Sequence, residues 1–404
     1  MHDFRGKLSD PRIAPEFQEY LSRARTRRAE IGEGVGAAPA AGYGPVSINL
    51  DLTMACDYRC GHCIDADLLN TGLKFEFEEV EASLRVLAAR GLRSAILIGG
   101  GEPTLHPDFT RIVRLIKSMG LQCAIVSNGA HNDSIAAAAA CLEQGDWVRL
   151  SLDAGTDRTF QALHRPRRRI SLEHICRSAA QIKSAQPAAQ LGFSFVVMWE
   201  GDGQIAKPAA SNVGEMRLAA ELAMTHSFDY ISFKPMLARN EERAEIVNAG
   251  RNASGAAPAV PAAVIEQIRR GLRESEALSA PSFRVVPSRN LLAMLQKSGF
   301  ERSRRQPREC HMQHFRQVLT PAGVYACPAH WGNPASRIAG RDAYCTGKGF
   351  EIAMQATQTQ IRKFHATREC REITCIYNDA NWWLEDLLES GQELTPGVAT
   401  NWFL

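Results

Sequence analysis

The sequence predicts an α/β protein in which a parallel sheet is covered by helices. Three observations predict it. Between about residues 46 and 235, six strand-like runs alternate with helix-like stripes, and alternation of that kind builds parallel strands joined by helical crossovers. One run, Ser94–Ile98, is apolar enough for a strand buried on both faces. The helical stripes stop at Gly91 and Gly120, where glycine is suited to end a helix.

The elements follow in order. Residues 1 to about 31 look helical and basic, with Arg23, Arg25, Arg27 and Arg28 close together, and Gly32–Pro39 reads as a linker. Val46–Leu52 alternates apolar and polar residues, as a strand should. Val80, Leu84, Leu87 and Ala88 share a helical face; after Ser94–Ile98, Ile112, Leu115, Ile116 and Met119 share the next. Strand Gln122–Val126, a helix from about Asp133, strand Val148–Leu152 and the stripe Leu172, Ile175, Cys176, Ala179, Ile182 come next. Strand Gly192–Met198 precedes a helix for which Asn212 and Glu215 have capping-box spacing, and strand Tyr230–Phe233 closes the series. The Gly/Ala/Pro-rich stretch Ala249–Pro261 then interrupts the pattern. The chain divides into an N-terminal helical extension and linker (1–45), a core (46–240), a connecting segment (241–299) and a C-terminal domain (300–404). Six units fit an open sheet or a partial barrel, and spacing does not decide between them.

Composition narrows the function classes. With 404 residues, two or three domains are expected at roughly 150 residues each. Lys and Arg number 47 against 44 Asp and Glu, a net +3 that shows no polyanion preference. No stretch approaches the roughly 18 apolar residues of a membrane span, and the first residues carry no secretory apolar core. A reducing cytosol is the expected compartment, where clustered cysteines serve metals or catalysis more than disulfides. The 11 cysteines are clustered: three at Cys56, Cys60 and Cys63, five at Cys310, Cys327, Cys345, Cys370 and Cys375, with Cys123, Cys141 and Cys176 on core-like patterns.

Cys56, Cys60 and Cys63 follow the first strand with C-x3-C-x2-C spacing. Closed zinc and iron–sulfur sites take four protein ligands, so three thiolates leave a metal position open for chemistry. The competing reading is a zinc site completed by His62 or a distant residue. Ligands of such folds bind at strand carboxyl ends, and after the second strand comes Gly99-Gly100-Gly101-Glu102-Pro103, where glycines let backbone approach a bound group.

On these motifs the chain resembles the radical S-adenosylmethionine (SAM) enzymes, over roughly residues 46 to 235. The resemblance implies a partial (β/α)6 TIM-like barrel as the radical SAM core, with Cys56, Cys60 and Cys63 holding a [4Fe–4S] cluster whose fourth iron binds SAM. It implies cofactor contacts from Gly100, Gly101 and Glu102, the match to the family's GGE motif, and from Asn128, Ser151, Asp153 and Arg165. Asn128-Gly129 is also a plain turn signal, and Asp153-Ala154-Gly155 also reads as a helix cap. The implied chemistry is reductive cleavage of SAM to methionine and a 5′-deoxyadenosyl radical that takes a hydrogen atom from an unactivated carbon, with flavodoxin or ferredoxin as electron donor.

Late in the chain, β-like runs around Pro321-Ala322-Gly323 read as a hairpin that brings Cys310 and Cys327 together. A helix from about Phe350 to His365 then leads to Cys370 and Cys375, which complete a four-thiolate set. This resembles the Twitch and SPASM extensions of radical SAM enzymes and implies an α+β domain with one auxiliary [4Fe–4S] cluster; zinc on the same four ligands is the alternative. Two departures favour the smaller, Twitch-like form: three residues, not four, separate Gly323 from Cys327, and five late cysteines fall short of about seven.

Cys345 is left over: a replacement ligand, an inert thiol, or a catalytic hydrogen donor as in some radical SAM epimerases. Lys234 ends the sixth strand, either reaching an anionic substrate or standing as a solvated rim lysine. The basic clusters His164–Arg169 and Arg302–Arg305 read as phosphate attractors or solvated faces; His311, His314 and His330 lie beside the late cysteines, and Trp382 and Trp383 are expected to pack the C-terminal domain. The expected function is dehydrogenation or epimerisation of a carbohydrate, cyclitol or nucleoside-like small molecule. The rivals are a SPASM-type peptide-modifying enzyme, against which no leader-recognition domain seen before the core speaks, and a zinc-stabilised binding protein. No membrane or nucleic-acid partner is expected, since no nucleic-acid motif is found.

Overall fold

The computed structural model describes residues 3–29, 42–202, 204–251, 258–296, 299–391 and 394–404. The linker expected at Gly32–Pro39 lies outside the described residues, as does the middle of Ala249–Pro261.

Six strands form where the sequence places them: β1 (Ser47–Leu50), β2 (Ser94–Leu97), β3 (Gln122–Ser127), β4 (Trp147–Ser151), β5 (Gln190–Val197) and β6 (Tyr230–Pro235). Each pairs in parallel with the next. Four more strands extend this sheet: β7 (Arg284–Pro287), β8 (Arg316–Thr320), β9 (Gly323–Tyr325) and β10 (Arg337–Ala339). The order is β7-β6-β5-β4-β3-β2-β1-β8-β9-β10, with β7 parallel on β6, β8 parallel on β1, and β9 and β10 antiparallel. The curved sheet is an open partial barrel. The connecting segment supplies one edge strand, and the C-terminal segment continues the opposite edge, so three of the expected units share one sheet.

Among the helices are α1 (Phe4–Leu8), α2 (Ala14–Ala29), α3 (Phe77–Ala89), α4 (Phe109–Ser118), α5 (Asn132–Ala139), α6 (Asp157–His164), α7 (Leu172–Ala185), α8 (Met216–Thr225), α9 (Ala262–Glu276), α10 (Gly347–Lys363) and α11 (Asn378–Ser390). Their apolar stripes, such as Ile112, Val113 and Ile116 of α4, bury against Leu97, Ile125 and Leu150 on the strands, and this layer is the main core. A second core joins the N-terminal helices to the C-terminal segment: Phe17 stacks on Phe315 and Trp383, and Tyr20 and Leu21 pack with Met312 and Leu384. Two basic residues of α2 are therefore engaged in this packing, Arg27 with Glu309 at 2.8 Å and Arg28 with Glu385 at 2.5 Å. Trp383 packs as expected, but Trp382 is 42% exposed and donates to the Arg305 carbonyl.

Asn212 and Glu215 do not cap α8. Asn212 donates to the carbonyls of Asp153 and Val196, both at 2.7 Å, and accepts from the Met198 amide, tying β4 to β5. Glu215 reaches the N-terminus of α6, accepting from the Gly155 and Thr156 amides and from both Thr156 and Thr159 hydroxyls. A carboxylate on a helix N-terminus is favoured whichever segment supplies it.

Candidate active site

The loop after β1 carries the three cysteines, and backbone bonds fix its path. The Arg59 and Gly61 amides donate to the carbonyls of His164 and Leu163, and the Cys63 amide to the Cys60 carbonyl. Asn70, held at φ 57°, accepts from the Cys56 amide through Oδ1 at 3.1 Å. Cys56, Cys60 and Cys63 consequently open onto one cavity of about 620 Å³ at the carboxyl ends of the strands. Burial pushes the Cys56 and Cys63 thiols up to about 11 and raises the Cys60 thiol well above its ordinary value, the neighbouring sulfurs adding to the rise at Cys60. Thiols so placed need a cation to become thiolates.

Two histidines complete this corner. His164 Nε2 donates to the Leu152 carbonyl at 3.0 Å, which turns Nδ1 to the Cys60 sulfur at 3.3 Å. Burial lowers its pKa to about 4. His62 Nε2 faces Asp153 Oδ2 at 3.2 Å, and His62 Nδ1 is buried without a partner. The ligand atoms of Cys60, His62 and His164 lie within 4.8 Å of one another. Asp153, at φ 52°, also accepts from the Val196 amide at 2.7 Å. Its carboxyl is held below the ordinary range: burial works against this, and His62 and His164 outweigh it.

The glycines act by close approach. A Cβ on Gly101 would overlap the carbonyl oxygens of Ala55 and Thr53, so the second loop seats against the cysteine loop only as glycine. Gly101 and Glu102 line the cavity; Gly100 does not, and its amide donates to Asp51. The Glu102 carboxylate accepts from the Thr104 amide and hydroxyl, the Ser127 hydroxyl and the Asn128 amide, binding the second loop to the third. Asn128 spends its side chain on Asp57 and on the Ala130 amide. The side chains of Glu102 and Asn128, expected at the cofactor, are thus engaged within the protein.

Ser151, Asp153 and Lys234 line the cavity. Arg165 does not. It lies beside Gly61 on the outer side of the cysteine loop, in a separate cleft with Arg59 and Arg167. Cys345 is also elsewhere: its sulfur lies 3.5 Å from Ser83 Oγ and 3.7 Å from the Glu79 carbonyl, against α3. It lines neither the large cavity nor the late-cysteine pocket, which corrects the catalytic and ligand roles expected for it.

The hairpin β8–β9 turns between Thr320 and Gly323, the latter at φ 139°. Cys310, Cys327, Cys370 and Cys375 line one small pocket with His330 and Arg316. Asn381 Nδ2 donates to the Cys310 sulfur, and His330 Nε2 lies 3.6 Å from the Cys370 sulfur. Burial raises all four thiols, Cys375 to about 12, and charge on the neighbouring sulfurs adds to the rise at Cys327, Cys370 and Cys375. Ile376 then extends from Cys375 to the large cavity's wall.

A partial barrel with an open three-thiol corner defines a class of metal-cofactor protein. Residues 50–203 match the family described as Radical_SAM, Radical SAM superfamily, so this segment carries a radical SAM domain. Its cofactors are accordingly a [4Fe–4S] cluster and SAM. The residues present fit such groups: three thiols share one cavity, Gly101 closes the loop without a side chain, and His62 Nδ1 has no partner within the described residues.

Two curated relatives are similar over part of the chain. An S-adenosylmethionine-dependent nucleotide dehydratase from a Thermoplasmatales archaeon (strain ISO4-H5) is 34% identical over 110 residues, 27% of this chain and 38% of that protein. A GTP 3′,8-cyclase from Chlorobaculum tepidum is 32% identical over 121 residues, 29% of this chain and 36% of that protein. These matches span little more than a third of either relative. Among solved structures, Streptococcus suis SuiB bound to S-adenosylmethionine superposes with a TM-score of 0.53 at 14% identity, covering 82% of this chain and 70% of SuiB. SuiB bound to its precursor peptide SuiA gives 0.52 at 13% identity, covering 83% and 70%. This likeness covers more of the chain than the six-strand core does, so the shared fold reaches beyond that core. No helix among the described residues is long and apolar enough to cross a membrane.

Proposed function

We propose that Cys56, Cys60 and Cys63 hold a [4Fe–4S] cluster with SAM on its open iron, and that the protein takes a hydrogen atom from a small carbohydrate, cyclitol or nucleoside-like molecule. The observation that carries this is the convergence of three thiols on a single large cavity at the strand carboxyl ends. Bound there, these groups supply the one-electron cleavage of SAM to methionine and a 5′-deoxyadenosyl radical. The protein's part is to hold and orient. Asp153, fixed by His62, His164 and the Val196 amide, presents its carboxylate at the rim, and Ser151 offers a hydroxyl beside it. Tyr58 and Phe160 wall the corner and keep water out.

Cys310, Cys327, Cys370 and Cys375 are the ligand set of an auxiliary [4Fe–4S] cluster in this reading. Of the two expected outcomes, dehydrogenation fits better: no thiol besides the three cluster cysteines lines the cavity among the described residues to return a hydrogen atom. Held by those four cysteines, an auxiliary cluster would supply the acceptor for the one electron that leaves the substrate together with a proton. A flavodoxin or ferredoxin in the cytosol is the expected donor of the initiating electron. The second reading, modification of a peptide, rests on the fold shared with SuiB, which binds a precursor peptide.

Anaerobic reconstitution tests this reading. About eight irons per chain are expected for two four-iron clusters, with 5′-deoxyadenosine released on reduction with SAM. Cys60→Ala is expected to abolish release and remove about half the iron. Near-stoichiometric zinc, or a wild-type protein that never forms 5′-deoxyadenosine, overturns it.

A further inference from the structure

Between β4, β5 and β6 the barrel interior turns polar. Strand register sets Ser151, Ser194 and Ser232 in one row, Arg149, Gly192 and Tyr230 in the row below, and Val196 and Lys234 in the row above. Arg149, Ser151, Ser232 and Lys234 line the cavity. Below them the interior closes on Trp147, Ile96, Ala124 and Phe403. Gly192 leaves room that the Tyr230 ring fills.

Two cations sit in this shaft without an anion. The Arg149 guanidinium lies 5.0 Å over the Trp147 ring, and its Nε is buried with no hydrogen-bond partner. Lys234 Nζ donates to Ser194 Oγ at 3.3 Å. The nearby carboxylate, Asp153, is committed to the Val196 amide, His62 and His164. Among the described residues no carboxylate bridges either cation. A half-buried cation with no counter-ion is destabilising, and chains retain such groups at sites that bind or react. Burial and mutual repulsion lower the affinity of Lys234 for its proton, and Asp153 only partly offsets them. Arg149 lies two residues, about 7 Å, below Ser151 at the strand end, well beneath the cysteine loop.

We propose that Arg149 and Lys234 form an anion-binding floor, so that the substrate is an acidic molecule whose oxyanion, a carboxylate or a phosphate, seats between them. The proposal rests on the hydrogen-abstraction reading above and deepens it by naming the substrate class. The guanidinium presents a planar fork to two oxygens, and Lys234 adds a point charge. The row of serine hydroxyls supplies neutral donors beside them. Anchored at the floor, the substrate projects its uncharged carbons upward to the three-cysteine rim. A neutral sugar or cyclitol does not satisfy this site; its phosphorylated or carboxylated derivative does.

The test titrates inorganic phosphate and acetate into the full chain at low ionic strength, following 31P and methyl 1H line broadening. Saturable binding of at least one anion is expected. Arg149→Met should weaken it about 10- to 100-fold, the scale of a hydrogen bond to a charged group, and Arg149→Lys should restore part. Tighter phosphate identifies a phosphate ester, tighter acetate a carboxylate. Lys234→Met gives a second, independent reading if Arg149→Met does not fold. Absence of saturable binding to the wild type, or binding by both Arg149→Met and Lys234→Met that equals the wild type's, overturns the proposal. The titration needs neither reduction nor SAM, so its failure is distinct from a failure to release 5′-deoxyadenosine.

Discussion

At Gly101 one methyl group decides whether the cysteine loop and the loop after β2 can lie together. The carbonyls of Ala55 and Thr53 occupy the place of its Cβ, and both belong to backbone that leads into Cys56. Gly101→Ala therefore has to push that backbone away, since no flexible side chain can yield. Overpacking of this kind costs about 1–3 kcal/mol; a urea midpoint lowered to match, with reduced iron uptake, is the expected result, and an unchanged midpoint contradicts the close approach. The residue types of this site were legible in the sequence, but their directions were not. Glu102 stands in a recognisable motif, yet its carboxylate serves Thr104, Ser127 and Asn128. His164 reads in the sequence only as part of a basic cluster, because it meets Cys60 across 104 positions of sequence. Arg149 looked like a polar residue of a strand, and only the register of β4 against β5 and β6 sets it among serines inside the barrel.

At the scale of elements, periodicity located the strands because burial on both faces leaves few alternatives to an apolar run. Capping was misassigned: the spacing of Asn212 and Glu215 suits a local box, while their bonds go to β4, β5 and α6, which no spacing reveals. The packing of α2 on the C-terminal segment was likewise illegible, as it depends on contacts such as Tyr20 with His314, ring centroids 4.7 Å apart. That contact carries a pH dependence. Burial, reinforced by Arg27 and Arg23, lowers the His314 pKa to about 3 from the usual 6.5. The unfolded chain thus binds a proton that the folded one refuses between those values. Stability is complete above pH 6.5 and falls as pH drops towards 3, by up to about 1.4 kcal/mol per pH unit from this group. His314→Gln should flatten that slope in urea unfolding between pH 6.5 and 4; an unaltered slope would show that the imidazole accepts a proton freely in the fold.

Over the whole molecule, the chain's two ends close the barrel that its middle builds. The sequence suggested an extension, a core and a separate C-terminal domain because the cysteine clusters and the Gly/Ala/Pro stretches fall between them. The sheet ignores those divisions, since β8 pairs with β1 in register from Ser47–Arg316 to Leu50–Leu319. Residues near the C-terminus then stop the opposite mouth from the cysteines. Phe403 packs on Ile96, Ala124 and Trp147, the Trp402 carbonyl accepts from Ser94, and the Phe403 carbonyl accepts from Lys7 at 2.5 Å. Trp147 is the ring beneath Arg149, so this plug supports the floor of the cavity from below. Truncating a buried phenylalanine costs about 3–5 kcal/mol, whereas a volume-conserving apolar replacement usually costs below about 1.5 kcal/mol. Phe403→Ala is therefore expected to lower the unfolding free energy by the larger amount and to weaken phosphate or acetate binding through loss of support under Trp147. Phe403→Leu should retain most of both. Equal stabilities for the two variants would mean that the tail merely lies against the mouth and does not fill it.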